Sequence, residues 1–187
     1  MLSGDWSSDV CSSDLKRPEV VYSPTYYSAM IPIARQAKAA NLTSTVFVGG
    51  DGWDADELLK DAGDELEGAF FTNHYAPDVP WPSAKSFIAH YAARFHHPPM
   101  SAAALGYDAT RILADAMSRA RSDSADDLRQ ALQATRNFPG ATGTTSIDAD
   151  RNADKSVVIV QIKAKKFAFY ASVNDKPAAP PSPSTGK

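Results

Sequence analysis

Apolar and polar positions along this chain follow two alternating periods. The short apolar runs Val20-Val21-Tyr22, Val46-Phe47-Val48 and Ala69-Phe70-Phe71 read as buried strands. Between them, apolar residues recur at helical spacing. Met30, Ile33, Ala34 and Ala37 share one face of the first such segment, with Arg35, Gln36 and Lys38 outside. Ser28 is its expected cap, and Pro32 falls where a first turn would end, a tolerable place. In the second segment Asp54 and Glu57 form a capping-box-like start and Gly63 a stop. Crossovers of this length force parallel pairing. The expected fold class is therefore α/β with a doubly wound parallel sheet.

Three loops then fall at one edge of that sheet: Pro24-Thr25-Tyr26-Tyr27, Gly49-Gly50-Asp51-Gly52-Trp53 and Thr72-Asn73-His74-Tyr75. Loops at the carboxyl ends of parallel strands line the ligand crevice of open α/β sheets. A carboxylate flanked by glycines and facing aromatic rings suits a small ligand bearing an ammonium group. It suits a phosphate badly.

Beyond Tyr75 the pattern changes. Pro77, Pro80 and Pro82 around Trp81 predict a crossing or hinge. Two long helical patterns follow, one carrying Phe87, Ile88, Tyr91, Ala92 and Phe95, the other Leu105, Ile112, Leu113, Ala116 and Met117. Ser124 starts a shorter helix with Asp126 and Asp127 in its first turn, burying Leu128, Ala131 and Leu132. No strand separates these three helices, so their apolar faces need a sheet that this sequence does not supply. That gap predicts a partner sheet in an N-terminal portion lying outside this chain. Val157 to Ile162 and Phe167 to Tyr170 form a closing hairpin across Lys163-Ala164-Lys165-Lys166.

Composition narrows the partners. A net charge of −3 over 187 residues offers no basic stripe for nucleic acid, and no apolar stretch approaches a membrane span. Residues 1–15 have neither helical nor strand period and lack the basic start and apolar centre of a secretory signal. They resemble a translated sequencing-library adapter or a disordered leader, so Cys11 is set aside. The Pro/Ala/Ser-rich residues 174–187 read as a disordered tail, and Pro177-Ala178-Ala179-Pro180 as plain linker.

Taken together, Tyr26-Tyr27, Arg35-Gln36-Ala37, Gly49-Gly50-Asp51-Gly52-Trp53, Glu67-Gly68, Leu105-Gly106-Tyr107-Asp108-Ala109 and Phe138-Pro139-Gly140-Ala141-Thr142-Gly143 carry a resemblance. In order and spacing they resemble the C-terminal half of the type I periplasmic substrate-binding proteins of branched-chain amino acid transporters, the leucine/isoleucine/valine-binding family. The resemblance implies two doubly wound lobes joined by three crossings, with the ligand between them. Residues 16–75 would belong to the second lobe, 76–156 to the hinge crossing and first-lobe helices, and 157–173 to the hairpin returning to the second lobe. It further implies an extracytoplasmic or periplasmic monomer that captures an amino acid and docks on ABC permease subunits, with no catalytic residue, metal or cofactor.

Within that frame Asp51 takes the position of the ammonium-binding acid. Tyr26 takes that of a ligand-contacting tyrosine, Tyr27 is its neighbour, Trp53 a pocket wall, and Gly50 the residue that lets the ligand approach. Three of them have a bland counterpart: Asp51 as a helix cap, Tyr27 and Trp53 as packing. Asp54 already fills the capping position, which favours the ligand role for Asp51. Tyr75 reads as a core aromatic, His74 as solvated, and Tyr107 with Asp108 as a structural pair. The family's carboxylate-binding hydroxyls belong to the absent lobe, so this chain alone is expected to bind amino acids weakly or not at all.

Rival readings are thinner. No G-x-S-x-G elbow supports a hydrolase. Asp51 with Asp54 and Asp56 could hold Mg²⁺ in a phosphatase or phosphoacceptor domain. A ligand-sensing receptor domain shares the fold. Asp148 to Asp154 alternates oxygen ligands as calcium loops do, but Ala153 and Ile159 break that pattern, and a solvated turn is expected. His96-His97 and His90 lack metal spacing and read as surface.

Overall fold

The computed structural model describes residues 18–174; the leader with Cys11 and the proline-rich tail lie outside the described residues. Eight strands and five helices follow in order. They are β1 (Val20–Ser23), α1 (Tyr27–Ala39), β2 (Val46–Gly49), α2 (Asp56–Ala62), β3 (Phe70–Asn73), α3 (Pro82–Phe95), α4 (Ser101–Arg119), α5 (Ala125–Gln133), β4 (Phe138–Gly140), β5 (Gly143–Ile147), β6 (Ala153–Lys155), β7 (Val157–Lys163) and β8 (Lys166–Val173). A short 3-10 turn, Asp51–Trp53, separates β2 from α2. The chain divides into two compact units, one comprising residues up to Thr72 with Gln161–Phe167, the other Asn73–Val160 with the residues from Ala168 onward.

In the first unit β1, β2 and β3 pair in parallel, as the crossover lengths predict, with Ser23 level with Gly49 and Gly49 level with Phe71. The five-stranded sheet runs β1-β2-β3-β7-β8. Its β7–β8 hairpin turns on Ala164 (φ 50°) and Lys165 (φ 56°), a two-residue turn shorter than the four-residue connection expected. Hence the sheet is mixed.

Helix α1 buries Met30, Ala34 and Ala37, three of the four residues on its expected face, while Ile33 stays partly exposed. Three expectations fail locally. Ser28 is not the cap: the helix starts straight from the strand exit, and the carbonyl of Tyr26 accepts from Ala29 and Met30 at 3.0 and 3.1 Å. Asp54 does not cap α2 either, because Ala55 holds that position and makes no side-chain bond. Finally, β1 is not a buried strand. It lies at the sheet edge, and Val20 and Tyr22 are 57% and 66% exposed.

The second unit holds α3, α4 and α5 and a three-stranded antiparallel sheet, β4-β5-β6, that the sequence reading did not anticipate. Its strands read Phe-Pro-Gly, Gly-Thr-Thr-Ser-Ile and Ala-Asp-Lys, with no apolar alternation to reveal them. Ser124 does cap α5, accepting from the Asp127 amide at 3.2 Å. In α5 only Ala131 is fully buried; Leu128 and Leu132 are half-buried. In α4 the buried stripe is Ser101, Ala104, Asp108 and Ala116, small and polar, whereas Leu113 and Met117 face outward.

Candidate functional site

Level strand ends put two loops side by side in the first unit. Ser23 and Gly49 are register partners, and each is followed within a few residues by one candidate cluster. Ser23 Oγ lies 3.1 Å from Thr25 Oγ1, bracing the first loop. Gly52 draws the loops together: a Cβ there would lie 3.1 Å from Tyr26 Cδ1 and 3.2 Å from the Thr25 carbonyl oxygen. Tyr26 therefore stands beside the residue that follows Asp51.

Asp51 and Tyr26 are both exposed, Tyr26 to 74%, and Tyr27 is half-buried as the first residue of α1. Asp51 opens the 3-10 turn, and its carbonyl accepts from the Asp54 amide at 3.1 Å. Gly50 adopts φ −108°, ψ −174°, extended backbone open to any residue. A Cβ on Gly50 would meet nothing within 4 Å among the described residues. Space is therefore open beside Gly50 itself.

Trp53 is the clearest correction. It is 0% exposed and packs against Phe71, with ring centroids 6.1 Å apart. It lies beneath the loop as part of the core, one layer deeper than a pocket wall. Its spacing gave no warning, since an aromatic four residues past a strand end suits either place. With Asp54 out of the capping position, the argument that a filled cap frees Asp51 for ligand also lapses; exposure and the neighbouring tyrosine now carry that case. Among the described residues no three His, Cys, Asp or Glu side chains converge as a metal would require.

In the second unit Tyr75 is buried at 2% exposure, as expected of a core aromatic, and the His74 amide donates to Asn73 Oδ1 at 2.8 Å. Asp148 accepts from the Asn152 amide at 2.7 Å, closing the solvated turn on itself. The expected structural role of Tyr107 and Asp108 is met. Tyr107 stacks on Phe87 at 4.6 Å, and Arg111 lies over both Tyr107 and Phe138. The Asp108 carboxylate accepts from the Ala141 amide, the Thr142 amide and Thr142 Oγ1, each at 2.7 Å.

Lys155 donates to the same Thr142 hydroxyl at 2.5 Å. Burial pushes the Lys155 ammonium down to about 8, against the pull of Asp108, which favours the charged form. A lysine near neutrality beside a threonine hydroxyl has the makings of a base and a nucleophile. Thr142, however, is 1% exposed, so no substrate reaches it; the cluster fastens the fold.

The sequence profile of a family described as periplasmic binding protein matches residues 3–167, a span that includes most of the leader. Leucine-binding protein LivK of Thermotoga maritima is 37% identical, with 84% of this chain and 45% of that one covered and a TM-score of 0.77. The branched-chain amino acid transporter substrate-binding protein LivJ of Streptococcus pneumoniae, solved with isoleucine, is 26% identical over 92% of this chain and 49% of that one, TM-score 0.73. A solute-binding protein of R. palustris solved with benzoate shares the fold at 21% identity, TM-score 0.70, over 89% of this chain and 47% of that one. None of the curated proteins compared is a significant match. The chain belongs to the periplasmic binding protein family and has the type I fold of that family. It spans about half the length of the solved structures it matches.

Proposed function

We propose that this chain is the ammonium-binding part of an extracytoplasmic solute-binding protein serving an ABC importer, and that its ligand is an amino acid of the branched-chain class or a close relative. One observation carries the reading. Asp51 is an exposed carboxylate at a strand exit, with the exposed Tyr26 ring packed beside its neighbour Gly52 and bare backbone at Gly50.

Related proteins have been solved with isoleucine, leucine and benzoate. The charge at Asp51 favours the first two. A carboxylate accepts charge-assisted hydrogen bonds from an ammonium, whereas an aromatic acid would bring only a second anion to it. Tyr26 adds an aromatic face for the cation and a phenol donor for the ligand carboxylate. Tyr27, at the start of α1, completes the aromatic side.

The second lobe proposed from residues 16–75 and 157–173 overlaps only in part the unit formed by residues up to Thr72 with Gln161–Phe167, since Val157–Val160 and the residues from Ala168 fall in the other unit. In a protein of the relatives' length, the complementary half would bring the groups for the ligand carboxylate, and closure on ligand would present a surface to the permease in the periplasm. Monomeric capture without chemistry fits the same picture.

The test is an NMR titration of the isotopically labelled chain with leucine. Weak, millimolar binding is expected, with shifts confined to residues 23–27 and 49–53 and lost in Asp51→Asn. Shifts elsewhere, no shifts at all, or shifts that survive Asp51→Asn would overturn the proposal.

A further inference from the structure

The loop that carries Asp51 is clamped at both ends, and the clamp is one contact. Gly49 ends β2, held between Ser23 of β1 and Phe71 of β3. Four residues on, Trp53 returns to the same spot. A Cβ on Gly49 would sit 2.6 Å from Trp53 Cζ2 and closer still to Cε2 and Cδ2, so the indole rests on the bare Cα of Gly49. Between the clamped ends the Trp53 amide donates to the Gly50 carbonyl at 3.1 Å, and just beyond them the Ala55 amide donates to the Trp53 carbonyl at 2.8 Å. Beneath lies an aromatic stack, Trp53 on Phe71 and Phe71 edge-on to Phe167 at 5.1 Å.

The indole is held by shape. Trp53 is 0% exposed, and its Nε1–H has no hydrogen-bond partner among the described residues. A buried donor without an acceptor costs free energy, and phenylalanine would fill much of the space without that cost. Tryptophan gains over phenylalanine in the extra ring, the part that reaches Gly49.

We infer that Trp53 is the positioning residue for Asp51, locked against Gly49 so that the carboxylate is presented at one height above the strand ends. This rests on the amino acid reading above and deepens it: Trp53 touches no ligand and acts through the 3-10 turn it closes. Displacements near an ångström are enough to weaken a charge-assisted contact severely.

The experiment uses the full chain with two probes, leucine and its amine-free analogue 4-methylpentanoate, read by NMR titration alongside thermal unfolding. Trp53→Phe should stay folded. Its affinity for leucine should fall about tenfold, while its response to 4-methylpentanoate stays that of the parent. Gly49→Ala should destabilise the parent clearly and cost much less in the Trp53→Phe background, the coupling expected of two residues sharing one contact. Equal loss for both probes, an unchanged leucine affinity, or additive effects of Gly49→Ala and Trp53→Phe would overturn the inference. A parent chain in which Asp51→Asn fails to separate the two probes would instead overturn the amino acid reading on which it rests.

Discussion

Asp108 and Thr142 are joined twice. One carboxylate oxygen takes both the backbone amide and the hydroxyl of Thr142 at 2.7 Å, while the other takes the amide of Ala141. A mid-helix acid of α4 thus supplies the hydrogen bonds that the turn between β4 and β5 cannot make for itself.

Asp108→Ala should therefore cost about 3 kcal/mol, because it strands two buried amides and a hydroxyl. Asp108→Asn, which keeps one acceptor, should cost less. Gly140→Ala should approach the alanine variant by another route, since its Cβ would lie 2.6 Å from Asp108 Cγ and closer still to Oδ2. Urea midpoints of the three variants give the ranking, and a neutral Gly140→Ala would show that the carboxylate has room to move.

Lys155 makes the same cluster sensitive to pH. Burial holds its ammonium at about 8 against an ordinary value of 10.5, so between these values the unfolded chain binds more protons than the folded one. Stability from this group rises as pH climbs through that window, and below it the buried charge is a constant penalty. Parent and Lys155→Met should thus differ in thermal midpoint by an amount that changes between pH 8 and pH 10.5, the parent gaining relative to the variant. A difference constant across that range would show that the amine titrates as in water.

Arg119 ties two helix ends together. Its guanidinium donates to Asp115 Oδ2 at 2.8 Å, to the Ala131 carbonyl at 2.9 Å and to Thr135 Oγ1 at 3.1 Å. It meets the negative end of the α5 dipole while doing so. A lysine cannot span that fork, so Arg119→Lys should lose about 1–2 kcal/mol in chemical denaturation. Retention of full stability would mean that one of the three bonds suffices.

How far the sequence reveals this structure depends on where the information sits. The parallel strands and α1 are legible because residues such as Phe47 and Met30 carry their period openly. The sheet β4-β5-β6 is not, since its strands lack apolar alternation and its first turn is held by Asp108, more than thirty residues back along the chain. Two of the stretches that carry the family resemblance, Gly106-Tyr107-Asp108 and Gly140-Ala141-Thr142-Gly143, turn out to be the halves of this one contact. Gly143 belongs there for its backbone, at φ 91°. At the candidate site the neighbouring loops that bear Asp51 and Tyr26 are legible from the strand ends, whereas the depth of Trp53 depends on Gly49 beneath it, a packing fact that spacing does not encode. The caps assigned to Ser28 and Asp54 failed because each helix begins a residue or more away from the side chain best suited to cap it.

Helix α4 shows a side that the second unit leaves uncovered. Leu113 and Met117, four apart and so neighbours on one face, are 41% and 62% exposed. An apolar pair left in water adds to the hydrophobic surface through which chains can associate. The double substitution Leu113→Lys with Met117→Lys should change the unfolding free energy by no more than about 0.5 kcal/mol for each residue, since neither is in the core. It should also lower the binding of a hydrophobic dye and the tendency of the chain to aggregate, both measured against the parent. A loss of about 2–5 kcal/mol, the scale of a core truncation, would show instead that this face is already packed in solution. The uncovered-face reading would then be wrong.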